Sequence, residues 1–202
     1  MSVGAPHVAV VVRASSKGGH SIEQVFENHT SHMKGVTLEV VELPEGRSVV
    51  GTLLYLCRFP LIHVTGHVNW VVTCLFWKRT ILTVHDVGHY RTLRNVRKWA
   101  YYLWWIALPV FLARKVTVVS NYTREQLVRM CPYSKNKIDV VYNSVPTEFV
   151  MEPRRNNEIP RVLQVGTAVH KNAEGTVAAM ENMEAELVLV GNHRQTLKDQ
   201  LL

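Results

Sequence analysis

Residues 7–14 read HVAVVVRA, an unbroken apolar run rich in β-branched side chains, with no polar residue alternating through it. Such a run suits a strand covered on both faces, the situation of a strand inside a parallel sheet. A parallel sheet needs a covered crossover between successive strands, and the chain supplies them. IEQVFENHTSHMK places Ile22, Val25, Phe26, His29 and Met33 on one helical face, and GVTLEVVEL (35–43) is the next strand, broken by Pro44, Glu45 and Gly46. SVVGTLLYLCRF (48–59) has helical spacing and is closed by Pro60. LIHVTG (61–66), TILTVHD (80–86), KVTVVS (115–120) and KIDVVYNSV (137–145) read as further strands. NYTREQLVRMC (121–131) reads as a helix capped by Ser120 or Asn121.

PTEFVMEPRRNNEIP (146–160) carries three prolines and several charges and reads as a linker. Strand RVLQVG (161–166), helix NAEGTVAAMENM (172–183) and strand AELVLVG (185–191) follow. The expected class is therefore α/β, with parallel sheets joined by right-handed crossovers. We place a first domain at 1–150, a linker at 151–160 and the start of a second domain at 161–202. Two strands and a helix are too few to bury a core, so the second domain is expected to be incomplete and the chain a truncated product or fragment.

Cys57, Cys74 and Cys131 are odd in number and far apart, which excludes a disulfide framework and a paired-cysteine metal site. Each is expected to be a small buried hydrophobe. The first residues lack the order of a signal peptide, and the expected compartment is cytoplasmic. The net charge is +7, and Lys78 to Lys115 holds eight basic residues against one acid, Asp86. A local excess of this kind points to an anionic partner. No nucleic-acid-binding motif is present, so nucleic acid is not the expected one.

In parallel sheets ligands bind at the carboxyl ends of the strands. The loops there hold the chemistry-bearing residues. Gly18-Gly19-His20 follows the first strand, either as an anion cradle at a helix start or as a turn that needs positive φ. His85 and Asp86 end the fourth strand; a histidine there donates to a sugar hydroxyl or phosphate, or moves a proton, unless a local carbonyl engages it. His63 and His67 read as structural or solvent-facing. A metal site from His85, Asp86 and His89 is not expected, because adjacent strand residues face opposite ways. Thr167, Lys171 and Asn172 surround the last turn: Lys171 brings a point charge suited to a diphosphate, Thr167 a hydroxyl, and Asn172 a helix cap. WAYYLWWIALPVFLA (99–113) is too short to span a bilayer and reads as a core helix over the sheet. Its tryptophans, with Arg91, Arg94, Arg97 and Lys98, offer the alternative of a patch for anionic lipid.

The Gly-Gly turn, TVHD, KVTVVSNYTREQL, KIDVVYNSVPTEF, RVLQVGTAVHKN and AELVLVGN, in that order, resemble the retaining glycosyltransferases of family four, which have the GT-B fold. The resemblance runs from about residue 7 to 193. It implies a Rossmann-like, acceptor-side first domain and a Rossmann-like, nucleotide-sugar-binding second domain, with hexosyl transfer that retains configuration and needs no metal or further cofactor. It implies Gly18, Gly19, Thr167 and Lys171 at the donor phosphates, with Thr167 where the family often has arginine. It implies His85, with Asp86, at the transferred sugar, and Ser120, Asn143 and Asn172 in support. Ser144 stands where the family's glycine follows the asparagine. The implied partners are a nucleotide-sugar and a carbohydrate or lipid-linked acceptor. Without the rest of the second domain, efficient transfer is not expected. The alternatives are a non-catalytic basic module on an anionic membrane and a sugar-nucleotide epimerase of the same fold.

Overall fold

The computed structural model describes residues 5–14, 35–44, 48–65, 67–144, 159–167 and 171–191. The chain divides into two compact units, 1–149 and 150–202. The expected Gly18-Gly19 turn, the helix over Ile22 to Met33 and most of the linker lie outside the described residues.

The first unit is built on six parallel strands: β1 (His7–Arg13), β2 (Thr37–Leu43), β3 (Leu61–Val64), β4 (Thr80–Val84), β5 (Lys115–Val118) and β6 (Ile138–Val140). They lie in the order β2-β1-β3-β4-β5-β6. Val8 through Val12 of β1 are all buried, as the unbroken apolar run requires. β2, at the sheet edge, is largely half-exposed.

The registers put Ala9 beside Ile62, Val11 beside Val64, Val64 beside Leu82, and Val84 beside Val118. With period two these side chains share one face. That face packs on Val71 and Val72 of α2 (Trp70–Cys74), on Ile106 and Val110, and on Leu127 of α6 (Asn121–Met130). Leu56, at the end of α1 (Ser48–Leu56), belongs to the same cluster. Each fully buried Leu, Ile or Val contributes about 1.5–3 kcal/mol, so among the described residues this face carries most of the apolar stabilisation. The opposite face carries a polar row: His63 Nε2 lies 2.7 Å from Thr83 Oγ1, which lies 2.7 Å from Thr117 Oγ1. Cys131 is buried as expected, but Cys57, just past α1, is half-buried, and Cys74 is exposed because only one side of the five-residue α2 meets the core.

Short α3 (Gly88–Thr92) is followed by the expected core helix, which is not a single helix. It runs as α4 (Asn95–Tyr101), a π turn (Tyr102–Ala107) and α5 (Leu108–Leu112). Pro109 is the cause: it has no N–H for the carbonyl four residues back, that of Trp105, and its ring crowds it. Asn69 takes that carbonyl instead, donating from Nδ2 at 2.9 Å. Only part of the run is core. Ile106, Pro109 and Val110 are buried, while Trp99, Leu103, Trp104 and Phe111 are exposed.

The second unit pairs β7 (Arg161–Val165) in parallel with β8 (Glu186–Val190), joined through α7 (Ala173–Met180). Ala173 and Thr167 are buried there, whereas Leu163 and Val165 are exposed.

Replacing Asn69 with Ala leaves the Trp105 carbonyl without its partner. The substitution is expected to lower unfolding free energy by about 1–3 kcal/mol, read from the urea midpoint at unchanged slope. A loss within error of zero would mean that the bond does not hold the π turn.

Candidate active site

β1 leads out to the edge strand β2, and the chain then returns to place β3 on the other side of β1. The topology reverses between β1 and β3, so the ligand crevice of such a sheet lies at their carboxyl ends. Thr65 is the first residue past β3; its N–H extends the ladder to Val11 O at 3.0 Å, and it is fully buried. A buried hydroxyl needs a partner, and Thr65 Oγ1 meets His85 Nε2 at 3.0 Å. His85 follows β4 directly. Its carbonyl accepts from Thr123 Oγ1 at 3.2 Å, and Thr123 N–H donates to Ser120 Oγ at 3.1 Å. Ser120 is thus the N-cap of α6, one of the two caps expected. Through Thr65, His85, Thr123 and Ser120 the loops after β3, β4 and β5 are tied together.

A second histidine joins this cluster. His67 Nε2 lies 4.0 Å from Asp86 Oδ2, and its ring centroid is 6.4 Å from that of His85. Asp86 Oδ1 accepts the Gly88 N–H at 2.8 Å in a short turn that starts α3. A Cβ at Gly88 would stand 3.2 Å from that oxygen, so the turn is tight around a small residue. The His67 loop is stapled to the π turn: Trp105 Nε1 donates to His67 O at 3.1 Å while Asn69 holds Trp105 O. Tyr101 stacks on Trp105 at 5.7 Å, and the ring of His89 meets Tyr101 edge-on at 5.0 Å. Burial raises the Tyr101 phenol above its ordinary pKa, and the Asp86 carboxylate raises it further. Among the described residues no cluster of three or more His, Cys, Asp or Glu is placed to hold a metal ion.

In the second unit β7 runs into Gly166, whose φ of +87° favours glycine and whose N–H donates to Val190 O at 2.7 Å. The Lys171 stem lies over Gly166, where a Cβ would come within 3.3 Å of Lys171 Cγ. Thr167 is buried beside it and Lys171 is exposed. Gln164 spans the turn, its Nε2 donating to Gly166 O at 3.2 Å and to Lys171 O at 3.3 Å, while Thr176 Oγ1 donates to its Oε1 at 3.2 Å. Asn172 does not cap α7 as expected. It adopts a left-handed conformation, φ 52° and ψ 44°, and makes no side-chain cap bond. A cap needs an extended backbone; here the amide lies on Gly175, where a Cβ would stand 2.4 Å from Nδ2.

His85, Asp86 and Ser120 are therefore gathered in the first unit, and Thr167 and Lys171 in the second. Asn143 is exposed in the segment after β6, and Gly18 and Gly19 lie outside the described residues. Thr65, Tyr101 and Gln164 were not singled out by sequence, and His67 was read only as structural or solvent-facing. Comparing the loops after β3 and β4 as neighbours would have flagged Thr65 and His67.

A Rossmann-like sheet of this order, with polar groups collected at its strand ends, defines a ligand-handling α/β domain. The chain belongs to glycosyltransferase family 4, whose family model matches residues 7–149, more than half of the 202 residues. It therefore carries the transferase domain of that family. No curated protein matches the chain.

The ring-and-carboxylate geometry has a direct readout. Asp86→Asn keeps the acceptor for Gly88 but removes the charge facing Tyr101. The Tyr101 pKa is expected to fall part of the way toward 10.0, remaining raised by burial. A pH titration of ζ-carbon-labelled tyrosine by NMR follows it. An unmoved Tyr101 resonance would separate the phenol from Asp86.

Proposed function

We propose that this chain serves hexosyl transfer from a nucleotide-sugar to the hydroxyl of a carbohydrate or lipid-linked acceptor, with retained anomeric configuration and without a metal ion. The bond from the anomeric carbon to the diphosphate oxygen breaks, a bond to the acceptor oxygen forms, and the departing phosphate takes the acceptor proton. What the protein adds is position and charge stabilisation. The observation that carries the reading is the Thr65–His85 pair at the strand ends of a family 4 domain. Thr65 engages Nε2 and Thr123 fixes the adjoining carbonyl, so the imidazole is held in one orientation to contact a sugar hydroxyl. Asp86 accepts within its own turn and faces His67, which suits orienting the histidines rather than bonding sugar itself.

In the second unit, Lys171 supplies positive charge to a diphosphate, and the Thr167 hydroxyl and the amides opening α7 supply hydrogen-bond donors. Gly166 gives that turn its close approach. The charge of the leaving group is offset by these residues, which is why no metal is invoked. Gly18 and Gly19 are proposed as phosphate contacts of the first unit, with Asn143 in support.

Calorimetry with UDP-, GDP- and ADP-glucose tests the reading. One sugar nucleotide is expected to bind more tightly than its parent nucleotide diphosphate. His85→Ala should erase that difference while nucleotide binding persists, and Lys171→Ala should weaken both by about tenfold. NMR of any product should show the donor's anomeric configuration, with turnover unchanged in EDTA. Absence of binding by all three sugar nucleotides, or an inverted product, overturns the reading.

A further inference from the structure

We infer that residues 94–104 form a docking surface for an anionic lipid bilayer. Four large apolar side chains stand out into solvent there: Val96 is 79% exposed, Trp99 71%, Trp104 52% and Leu103 46%. Val96, Trp99 and Leu103 follow one helical stripe at i, i+3 and i+7, and Trp104 is exposed next to Leu103. Contiguous exposed apolar groups of this size mark an interaction site.

The charge around the stripe identifies the partner. Arg94 and Arg97 are exposed and, with Leu93 and Val96, line an open hollow of about 550 Å³. Lys98 lies beside them, its ammonium 4.6 Å above the Tyr90 ring centroid. Asp86 is the one acid between Lys78 and Lys115. A cationic fringe next to tryptophans and aliphatics matches the level where lipid phosphates meet acyl chains. A nucleic-acid backbone would use the arginines but gain nothing from Val96 and Leu103. No helix among the described residues is long and apolar enough to cross a membrane, so the contact is interfacial. The opposite side of the same run holds Trp105 against the His67 carbonyl. The surface does not depend on the proposed transfer, and its test reads membrane binding alone.

The whole chain is floated with vesicles of phosphatidylcholine, with and without phosphatidylglycerol. Flotation is expected only with phosphatidylglycerol, with tryptophan fluorescence quenched by brominated acyl chains. Arg94→Gln/Arg97→Gln should lower the partition coefficient roughly 30-fold, at an unchanged melting temperature, as both side chains are exposed. Trp99→Ser/Trp104→Ser should abolish the quenching. Equal flotation with neutral vesicles, unquenched fluorescence in the parent chain, or a DNA duplex bound as tightly as the vesicles overturns the inference.

Discussion

Every strand of the six-stranded sheet runs in the same direction, and that constraint shapes everything else in the first unit. Parallel strands cannot be joined by tight hairpins, so each return crosses a face of the sheet and covers it. A strand such as β1 is then shielded above and below, which only an apolar run like Val8–Val12 tolerates. The same directionality collects all six carboxyl ends along one edge. The residues that follow them, Thr65, His85 and Ser120 among them, become neighbours although 20 to 55 positions separate them along the chain. The site is thus a consequence of strand direction, and its residues are brought together by the ladder rather than by local sequence.

Burial sets the terms on which those residues can meet. Thr65 is wholly out of water, so its hydroxyl must be bonded, and His85 is the group its register puts in reach. The bond in turn limits how His85 can rotate. Thr123 fixes the adjoining carbonyl, and Ser120 fixes Thr123 while opening α6. Each bond is ordinary in strength, yet breaking one strands a buried polar atom, and this penalty is larger than the bond's net worth. Preorganisation of the histidine therefore comes from ordinary packing requirements at the strand ends.

The strands could be read from the sequence because their signal is local: β-branched runs at β1, β4 and β5, and a Ser120 cap one residue before its helix. His85 and Thr167 were legible as candidates because they stand within two residues of a strand end, and Lys171 because it lies between β7 and α7. What escaped depends on distant residues or on backbone detail. His67 gains its place through a register that seats β3 beside β4, and through Trp105, which lies 38 positions away. Gln164 sits inside a strand run and looks like sheet, yet its amide spans the following turn. Asn172 looks like a cap by type, but its own backbone stands at positive φ, where capping geometry is lost. Side-chain identity suggests a role; only the backbone conformation decides it.

The run from Trp99 to Ala113 shows most clearly why periodicity alone misleads. Its inward residues fall in pairs, Tyr101 and Tyr102, Trp105 and Ile106, Pro109 and Val110, and then Ala113, a spacing of four. An α-helix repeats every 3.6 residues, so over twelve residues such a stripe would drift by about 120° and leave the sheet. The π turn is wider than an α turn, and mixing the two raises the local repeat toward four. The stripe then stays against Val71, Val72 and the sheet, while Trp99, Leu103 and Trp104 stay outside it. Pro109 makes the widening cheap, since it has no N–H to lose, and Asn69 satisfies the carbonyl that the proline leaves behind. One irregular turn therefore serves two surroundings: it keeps tyrosine, tryptophan and isoleucine on the core and presents a second aromatic face to whatever lies beyond the protein.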